Sequence, residues 1–258
     1  MRQAVKNFLK YKYLLMELIK KGVKLKYRRS YLGIIWTLLE PLLNMIVLAV
    51  VFGTLFGNDD KTFPVYILTA RLLYSFFAQA TTGALKSIPS NASMIKKVYV
   101  PKYLYPLANV LFNYVIFALS LVVLVVVSLV LGVYPTVYIF QAIVPLINVL
   151  LFSFGVGMIL STIGVFFRDV EYLWSVGLTL IMYTCAIFYY PDALLNSGFS
   201  WILKFNPLYC TIANFRSAIF GEMMNLKMTA YSFACSFIVI VIGLILFKKQ
   251  QDKFILHI

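Results

Sequence analysis

Long uninterrupted apolar stretches are the feature that most limits how this chain can fold. Six of them are long enough to cross a lipid bilayer, which takes about 20 residues of α-helix. They lie at residues 34–56, 63–85, 107–131, 139–166, 172–190 and 228–247. A single buried core cannot take up this much apolar sequence in a chain of 258 residues with a mean hydropathy of +0.89. The sequence therefore predicts an all-α integral membrane protein with six transmembrane helices, and it excludes a soluble enzyme.

The basic residues are distributed unevenly along the chain. Of the 23 Lys and Arg, 18 lie in residues 1–29, in the 86–106 and 167–171 segments, and after residue 247. Lys and Arg accumulate on the cytoplasmic side of membrane proteins, so this bias predicts that both termini are cytoplasmic. The net charge of +14 is then explained by topology and lipid contact, and we predict no nucleic-acid partner.

Residues 1–33 precede the first span and form the first predicted unit, and residues 34–258 form the transmembrane domain. In the first unit, apolar side chains recur at helical spacing between lysines: Phe8, Tyr11, Leu15, Leu18, Ile19 and Val23. This pattern is typical of an amphipathic helix lying in the membrane interface. It favours an anchor to anionic lipid, and a part in a cytoplasmic substrate entrance is the alternative.

The weaker apolar stretch at residues 193–220 is interrupted by polar residues, glycine and proline. Such residues are costly in a helix that faces lipid, so this stretch does not qualify as a seventh span. We predict short re-entrant or interfacial helices here, directly before the last span.

No recognisable arrangement of catalytic residues occurs in the sequence. The chain has no G-x-x-x-x-G-K-[ST] loop, so any ATP must be hydrolysed by a partner. Its only histidine is His257, and its three cysteines lie 25 residues apart, far from the spacing of a metal site. Asp169 and Glu171 are the nearest approach to a carboxylate pair, and we interpret them as a polar turn. We predict that the chain is not an enzyme and holds no cofactor or metal itself.

Five separated regions carry more specific motifs. They are Tyr27–Pro41, Asn91–Pro101, Phe166–Val170, Ile187–Pro191, and Asn206–Leu208 with Phe215–Arg216. In these regions the chain resembles the membrane subunits of ABC-2 type exporters of polysaccharides and teichoic acids. The motifs occur in the family's order and cover nearly the whole chain. Cys185, Ala186 and Arg71 depart from the family pattern.

The resemblance implies a transporter subunit in the bacterial cytoplasmic membrane. Two copies of the chain would form a channel, and two copies of a separate ATPase, holding ATP and Mg²⁺, would dock beneath it. The substrate would be a polyprenyl-linked glycan such as an O-antigen or a teichoic acid, moved outward from the cytoplasmic leaflet. Membrane lipid is the other expected partner.

Within that picture, the 86–106 segment is a candidate contact with the ATPase, because a stretch of helical length lies between Pro89 and Pro101. The Arg168 to Glu171 turn is a second candidate. The predicted coupling residues are Met94, Ile95, Lys96, Lys97, Arg168 and Asp169. A solvated run of charges that only sets the topology is the alternative for the longer segment.

The start of the first span is a candidate substrate entrance, formed by Arg28, Arg29, Tyr31 and Glu40. Arg binds phosphate groups in a bidentate manner, so the arginine pair suits the pyrophosphate of a polyprenyl carrier. Contact with the phosphates of ordinary lipids is the alternative. Glu40 lies about 9 Å into the membrane at 1.5 Å per residue, where a carboxylate normally faces protein or water.

Aromatic residues and one charge inside the spans are candidates for the channel lining, because sugar rings can slide over flat apolar faces. The predicted lining residues are Arg71, Tyr74, Phe77, Tyr183, Phe188, Tyr189 and Tyr190. Packing between helices is the alternative for most of the aromatics. Arg71 lies about 18 Å from the inner surface, well beyond Glu40, so we expect no direct ion pair between them within one subunit.

Two other function classes are compatible with the sequence. A channel or an ion-coupled secondary transporter would also lack an ATP motif, with Glu40 and Arg71 as selectivity or coupling charges. An integral-membrane enzyme acting on glycans is disfavoured by the scattered acids. Co-purification with an ATPase distinguishes an exporter subunit from a channel.

Overall fold

The computed structural model describes residues 2–28, 31–56, 60–97, 100–196 and 198–257. Within them the chain forms α-helices and short 3-10 turns and has no β-strand, which confirms the all-α prediction. The helices are α1 (Arg2–Tyr27), α2 (Trp36–Phe56), α3 (Phe63–Ser90), α4 (Ala92–Lys97), α5 (Leu104–Val130), α6 (Ile143–Phe166), α7 (Val170–Thr184), α8 (Asp192–Leu195), α9 (Ser200–Lys204), α10 (Pro207–Phe220), α11 (Leu226–Gln250) and α12 (Phe254–His257).

Four helical stretches among the described residues are long and apolar enough to cross a membrane. They are Gly33–Leu55, Leu104–Val130, Val137–Phe166 and Leu226–His257. They agree with four of the six predicted spans. Of the other two, α3 carries several polar residues, and the 15 residues of α7 extend only about 22 Å. The total of six spans stays a prediction.

α3 occupies the centre of the bundle and packs against α2, α5, α6 and α7. Most of its side chains between Val65 and Ile88 are buried. The largest apolar cluster surrounds it, with Leu68, Leu73 and Phe77 from α3 meeting Phe117 of α5. This central position matters for function, because an uncovered face of α3 lies between neighbouring helices.

A second apolar cluster joins segments that are far apart in sequence. It contains Leu15 of α1, Ile95 of α4, Leu104 of α5, Val165 of α6 and Phe254 of α12. The N-terminal helix, α4 and the C-terminal helix therefore lie at the same end of the bundle. The basic residues predict the same grouping, and the assignment of this end to the cytoplasm stays a prediction.

α1 has one packed face, which lies against α5. Gly22 approaches the ring of Phe112 so closely that an added Cβ would lie 2.9 Å from it. Lysines on the other faces are exposed, and Lys20 forms an ion pair with Glu17 at 3.0 Å. The predicted helix is therefore present, and its position in a membrane interface stays a prediction.

The predicted loop at 86–106 is shorter in the structure. α3 continues to Ser90 with Pro89 in its last turn, and α5 begins at Leu104. The helix predicted inside this loop is α4, which begins directly after Asn91. Hydropathy placed the end of α3 too early, because its last turns contain Lys86 and Ser90 and so no longer look like a membrane span.

α7 ends at Thr184, six residues before the end of the predicted span at 172–190. The chain then forms a turn in which Cys185, Ala186 and Ile187 are fully buried. The apolar residues of this turn are covered by protein and not by lipid. Hydropathy alone does not distinguish a buried turn from a buried helix.

Three short helices, α8 to α10, occupy the region predicted at 193–220. Asn206 caps α10 by accepting hydrogen bonds from the backbone N–H groups of Leu208 and Tyr209 at 3.0 and 3.2 Å. Pro207 holds the first helical position, where its missing N–H costs nothing. Gly221 ends the helix at a φ of +79°, a conformation that favours glycine. Short helices are thus confirmed here, and their re-entry into the membrane stays a prediction.

Candidate functional site

A polar cleft opens between the end of α1, the start of α2, and the middle of α3 and α5. Its volume is about 40 Å³, enough for bound water. Its polar lining consists of Lys26, Thr37, Glu40, Asn44, Arg71, Ser75, Gln79, Asn113 and Ser120. The rim residues Lys26, Glu40 and Gln79 are exposed, whereas Thr37 and Asn113 on the floor are buried. Glu40, which was predicted for the substrate entrance, and Arg71, which was predicted for the channel lining, therefore line the same cleft.

Lys26 links α1 to α3 at the rim of this cleft. Its Nζ donates a hydrogen bond to Oε1 of Gln79 at 2.8 Å. Partial burial lowers the pKa of the Lys26 ammonium, and the negative charge of Glu40 opposes this shift. Lys26 could not be singled out in the sequence because it is one of many lysines in α1, and only the tertiary structure separates it from the solvated ones.

Arg71 projects from the middle of α3 beside the cleft. Its Nη1 lies 3.5 Å from Sδ of Met182 in α7, and its Cζ lies 5.7 Å from the ring centre of Tyr74. Its Nε is buried and meets no acceptor within the described residues. No ion pair joins it to Glu40 among those residues. An N–H left without an acceptor in this way suits a polar ligand or water.

The aromatic residues predicted for the channel lining differ in their exposure. Tyr74, Phe77 and Phe188 are buried in the protomer. Phe77 stacks on Phe152 with 5.4 Å between ring centres, a position that favours packing over a role in the path. Tyr183 and Tyr190 are exposed.

Aromatic contacts join the segment after α7 to α2. Phe188 stacks on Phe52 of α2 with ring centres 4.9 Å apart. Tyr189 is half-buried, and its hydroxyl donates to the carbonyl of Tyr183 at 2.8 Å. The segment after α7 therefore contacts α2 directly.

Arg216 of α10 is almost completely buried and holds this segment in place. Its guanidinium donates to the carbonyl oxygens of Tyr66, Ala186 and Ile187, with a shortest distance of 2.9 Å to Ala186. Its Cζ lies 3.4 Å from the ring centre of Tyr66. No carboxylate among the described residues pairs with it. Arg216 thus ties α3, α10 and the turn after α7 together.

The turn itself has an unusual backbone that this contact stabilises. Ala186 has a φ of +49°, which costs free energy for a residue with a Cβ. Its carbonyl is the closest acceptor of Arg216, and Asn206 donates to the carbonyl of Thr184 at 3.2 Å. Arg216 belongs to the Phe215–Arg216 motif, so the sequence did single it out, but nothing in the sequence indicated its partners.

The predicted coupling residues of α4 divide into buried and exposed positions. Ile95 is buried in the cluster at the end of the bundle, and Met94 packs against the same cluster. Lys96 and Lys97 point away from the protein and are exposed. α4 is thus held rigidly by one side while its two lysines stay available to a partner.

Arg168 and Asp169 lie exposed in the turn between α6 and α7. Next to them, Lys86 of α3 forms an ion pair with Glu171 of α7. An open cavity of about 420 Å³ lies beside this pair, between α3, α6 and α12. The structure therefore places both predicted coupling segments at one end of the bundle.

The predicted entrance residues lie near the start of α2. Arg28 and Tyr31 are exposed, and Arg29 lies outside the described residues. Within the described part of the chain, no three His, Cys, Asp or Glu side chains lie close enough to hold a metal ion.

Comparisons with known proteins cover most of the chain and agree with one another. A model of the family described as ABC-2 type transporter matches residues 13–220. The chain is 32% identical to an O-antigen export system permease protein, RfbA, of Klebsiella pneumoniae over 93% of both chains. It is 29% identical to the RfbA of Myxococcus xanthus over 86% of this chain and 85% of that one. It is 20% identical to the polysialic acid transport protein KpsM of Escherichia coli over 91% and 92% of the two chains.

Proposed function

The chain belongs to the ABC-2 type transporter family, and we propose that it is the permease subunit of an ATP-driven exporter of a lipid-linked polysaccharide. The observation that carries this proposal is the 32% identity to an O-antigen export permease over 93% of both chains. The chain is a transporter subunit and not an enzyme. Because the polysialic acid transport relative is more distant, we favour a glycan of the O-antigen class over a capsule or a teichoic acid.

We propose an assembly of two permease chains and two copies of a separate ATPase, which binds ATP and Mg²⁺. It would lie in the bacterial cytoplasmic membrane with both termini inside. The grouping of α1, α4 and α12 at one end supports this orientation, because these helices belong to residues 1–29, the 86–106 segment and the residues after 247, which together contain 17 of the 23 Lys and Arg. α3 and α7 would complete a set of six spans.

Each predicted site has a place in this scheme. α4 and the turn at Arg168 would receive the ATPase. The start of α2 would admit the carrier pyrophosphate near Arg28 and Arg29. The polar cleft that contains Glu40 and Arg71 would then lie on the route of the glycan, and the aromatic contact between Phe52 and Phe188 would close that route in the resting state.

The central test is whether an ATPase is a partner. We expect an affinity-tagged chain extracted in mild detergent to bring down an ATPase, and the permease purified alone to show no ATP turnover, because it has no phosphate-binding loop. Its depletion in cells should also cause a lipid-linked glycan to accumulate, and mass spectrometry of that glycan would identify its class.

Transport that continues without any ATPase, or ion currents through the purified chain, would favour the channel alternative and contradict the proposal. A repeating unit joined by phosphodiesters would instead identify a teichoic acid.

The exposed lysines of α4 give a second prediction. Reversal of charge by Lys96→Glu with Lys97→Glu should lower export by about tenfold, equivalent to about 1.4 kcal/mol, because like charges would face each other across the ATPase contact. The matched control is Lys248→Glu with Lys249→Glu, an adjacent exposed pair in the last turn of α11. Export would be measured as newly exposed surface glycan.

Cysteine labelling must show that the α4 variant keeps its topology, since a change there would mean that the lysines only orient the chain. Equal export by both double variants, each with a normal amount of bound ATPase, would contradict a coupling role for α4.

A further inference from the structure

The uncovered side of α3 is a single polar stripe. Between Val65 and Ile88, only seven positions are not buried, and five of them are polar: Arg71, Ser75, Gln79, Thr82 and Lys86. The other two are Ala78 and Gly83, on the same side. The five polar residues, here called the polar stripe, follow one another at intervals of three or four residues, so they share one helix face over about 22 Å.

The polar stripe cannot face lipid at low cost. A charged side chain near the middle of a membrane helix costs about 2.5 to 3.5 kcal/mol on insertion scales and normally faces water or protein. Exposed positions on α5, such as Val115 and Val122, are apolar by contrast. The two helices therefore present their uncovered faces to different surroundings.

The neighbouring helices form walls on both sides of the polar stripe. On one side, Lys26 binds Gln79, and the cleft reaches Glu40 of α2. On the other side, α7 stays close to α3, since the Trp174 indole N–H donates to Thr81 at 3.1 Å and the Tyr74 hydroxyl donates to the carbonyl of Leu178 at 2.8 Å. The polar stripe thus forms the base of a groove between α2 and α7.

The two ends of the groove differ. At one end, Lys86 pairs with Glu171 beside the open cavity at the end of the bundle that holds α4. At the other end, Phe52 of α2 stacks on Phe188 and joins the two walls. The groove is therefore polar along its length and capped by aromatic rings at the end away from α4.

The chemistry of the groove fits sugar hydroxyl groups. The side chains of Gln79, Ser75 and Asn113 can each donate and accept hydrogen bonds, as can each hydroxyl of a sugar. Glu40 adds an acceptor, and its negative charge disfavours a groove specialised for anions. Arg71 adds donors only, because its guanidinium carries N–H groups on a side chain that is partly exposed, and its buried Nε finds no acceptor within the described residues.

We propose that the polar stripe of α3 is a sliding surface for the sugar hydroxyls of the exported chain. This inference rests on the proposed function and assigns residues to its translocation path. Each contact is a single hydrogen bond of small net strength, so the chain can move from one to the next without being trapped. The small cleft volume admits hydroxyl groups and water at its floor, while the sugar rings pass above it.

The test uses the complete complex with its ATPase, in a background where Cys185, Cys210 and Cys235 are replaced by Ala. Gln79→Cys and the smaller change Ser75→Cys place a thiol on the polar stripe. Val115→Cys is the matched control, because Val115 is exposed on α5 only two residues from Asn113 on the cleft floor. The probe is a small, charged, membrane-impermeant methanethiosulfonate applied to inside-out vesicles.

We expect the Gln79→Cys and Ser75→Cys thiols to react at least about tenfold faster than the Val115→Cys thiol, because the thiolate is the nucleophile that attacks the reagent and it forms only where water reaches the thiol. Labelling should stop export in the first two variants and leave it unchanged in the control. Without any label, Gln79→Leu should slow export by about fivefold, the effect of one lost hydrogen bond, whereas Gln79→Asn should slow it less.

Two outcomes would overturn the inference: thiols on the polar stripe that are no more reactive than the control, or full export after they are labelled. In either case export by the unmodified complex would still stand, so the proposed function would survive. If the unmodified complex exports no glycan, the proposed function itself fails, whatever the labelling shows.

Discussion

Replacement of Arg216 by leucine is expected to give one of the two largest losses of stability in this protein. The Arg216 guanidinium supplies donors to three carbonyl oxygens, those of Tyr66, Ala186 and Ile187. Leucine fills a similar volume and supplies none. The Tyr66 carbonyl would still accept from the Thr69 hydroxyl at 2.8 Å, but those of Ala186 and Ile187 would lose their side-chain donor. A buried carbonyl without a donor costs about 1 to 3 kcal/mol, so we expect a loss of about 3 kcal/mol.

The loss should appear as a fall in the thermal midpoint of the detergent-solubilised protein, on the order of 10 °C for a chain of this size. Export should fall with it, because the turn after α7 contacts α2 through Phe188 and Phe52.

Two further variants show whether the contacts of Arg216 cause this effect. Arg216→Lys keeps the charge but loses the planar fork that reaches several carbonyls and stacks on Tyr66, so an intermediate midpoint is expected. Lys204→Leu removes an exposed cation from the neighbouring helix α9 and should change little. If Arg216→Leu has the same midpoint as Lys204→Leu, the contacts of Arg216 do not hold the turn.

The turn that Arg216 holds shows how far this fold can be predicted from the sequence. Hydropathy extended the fifth predicted span to Tyr190 and gave no sign that the helix ends at Thr184. The turn depends on donors from Asn206 and Arg216, which lie more than twenty residues further along the chain. Hydrophobic periodicity and composition describe local structure, and they carry no information about hydrogen-bond partners that far along the chain.

The polar cleft also shows that the sequence alone does not indicate tertiary partners. The charges of Glu40 and Arg71 were recognised in the sequence because each interrupts an apolar stretch. Lys26 and Gln79 were missed, because a lysine in a basic helix is ordinary and an uncharged glutamine interrupts an apolar stretch less clearly than a charge does. The spacing of the polar stripe was present in the sequence, but its meaning required knowing that all other faces of α3 are covered.

Glycines that bring α6 and α11 together give the other prediction with a large effect. A Cβ on Gly155 would lie 2.8 Å from the backbone nitrogen of Ile240, and one on Gly243 would lie 2.9 Å from the carbonyl oxygen of Gly155. Small residues let membrane helices approach closely enough for their backbones to touch. Because the atoms in the way belong to the backbone, they cannot move aside as a flexible side chain would.

We expect Gly155→Ala to destabilise the protein by about 1 to 3 kcal/mol, the usual cost of overpacking, and Gly155→Leu to prevent accumulation of the folded chain. Gly177→Ala in α7 is the matched control, since its Cβ would lie 3.8 Å from the Trp174 ring, an ordinary contact. Alanine is the better helix former by about 1 kcal/mol, so this control should be neutral or more stable than wild type. The two alanine variants should therefore shift the thermal midpoint in opposite directions, and equal midpoints would show that α6 and α11 are not in backbone contact at Gly155.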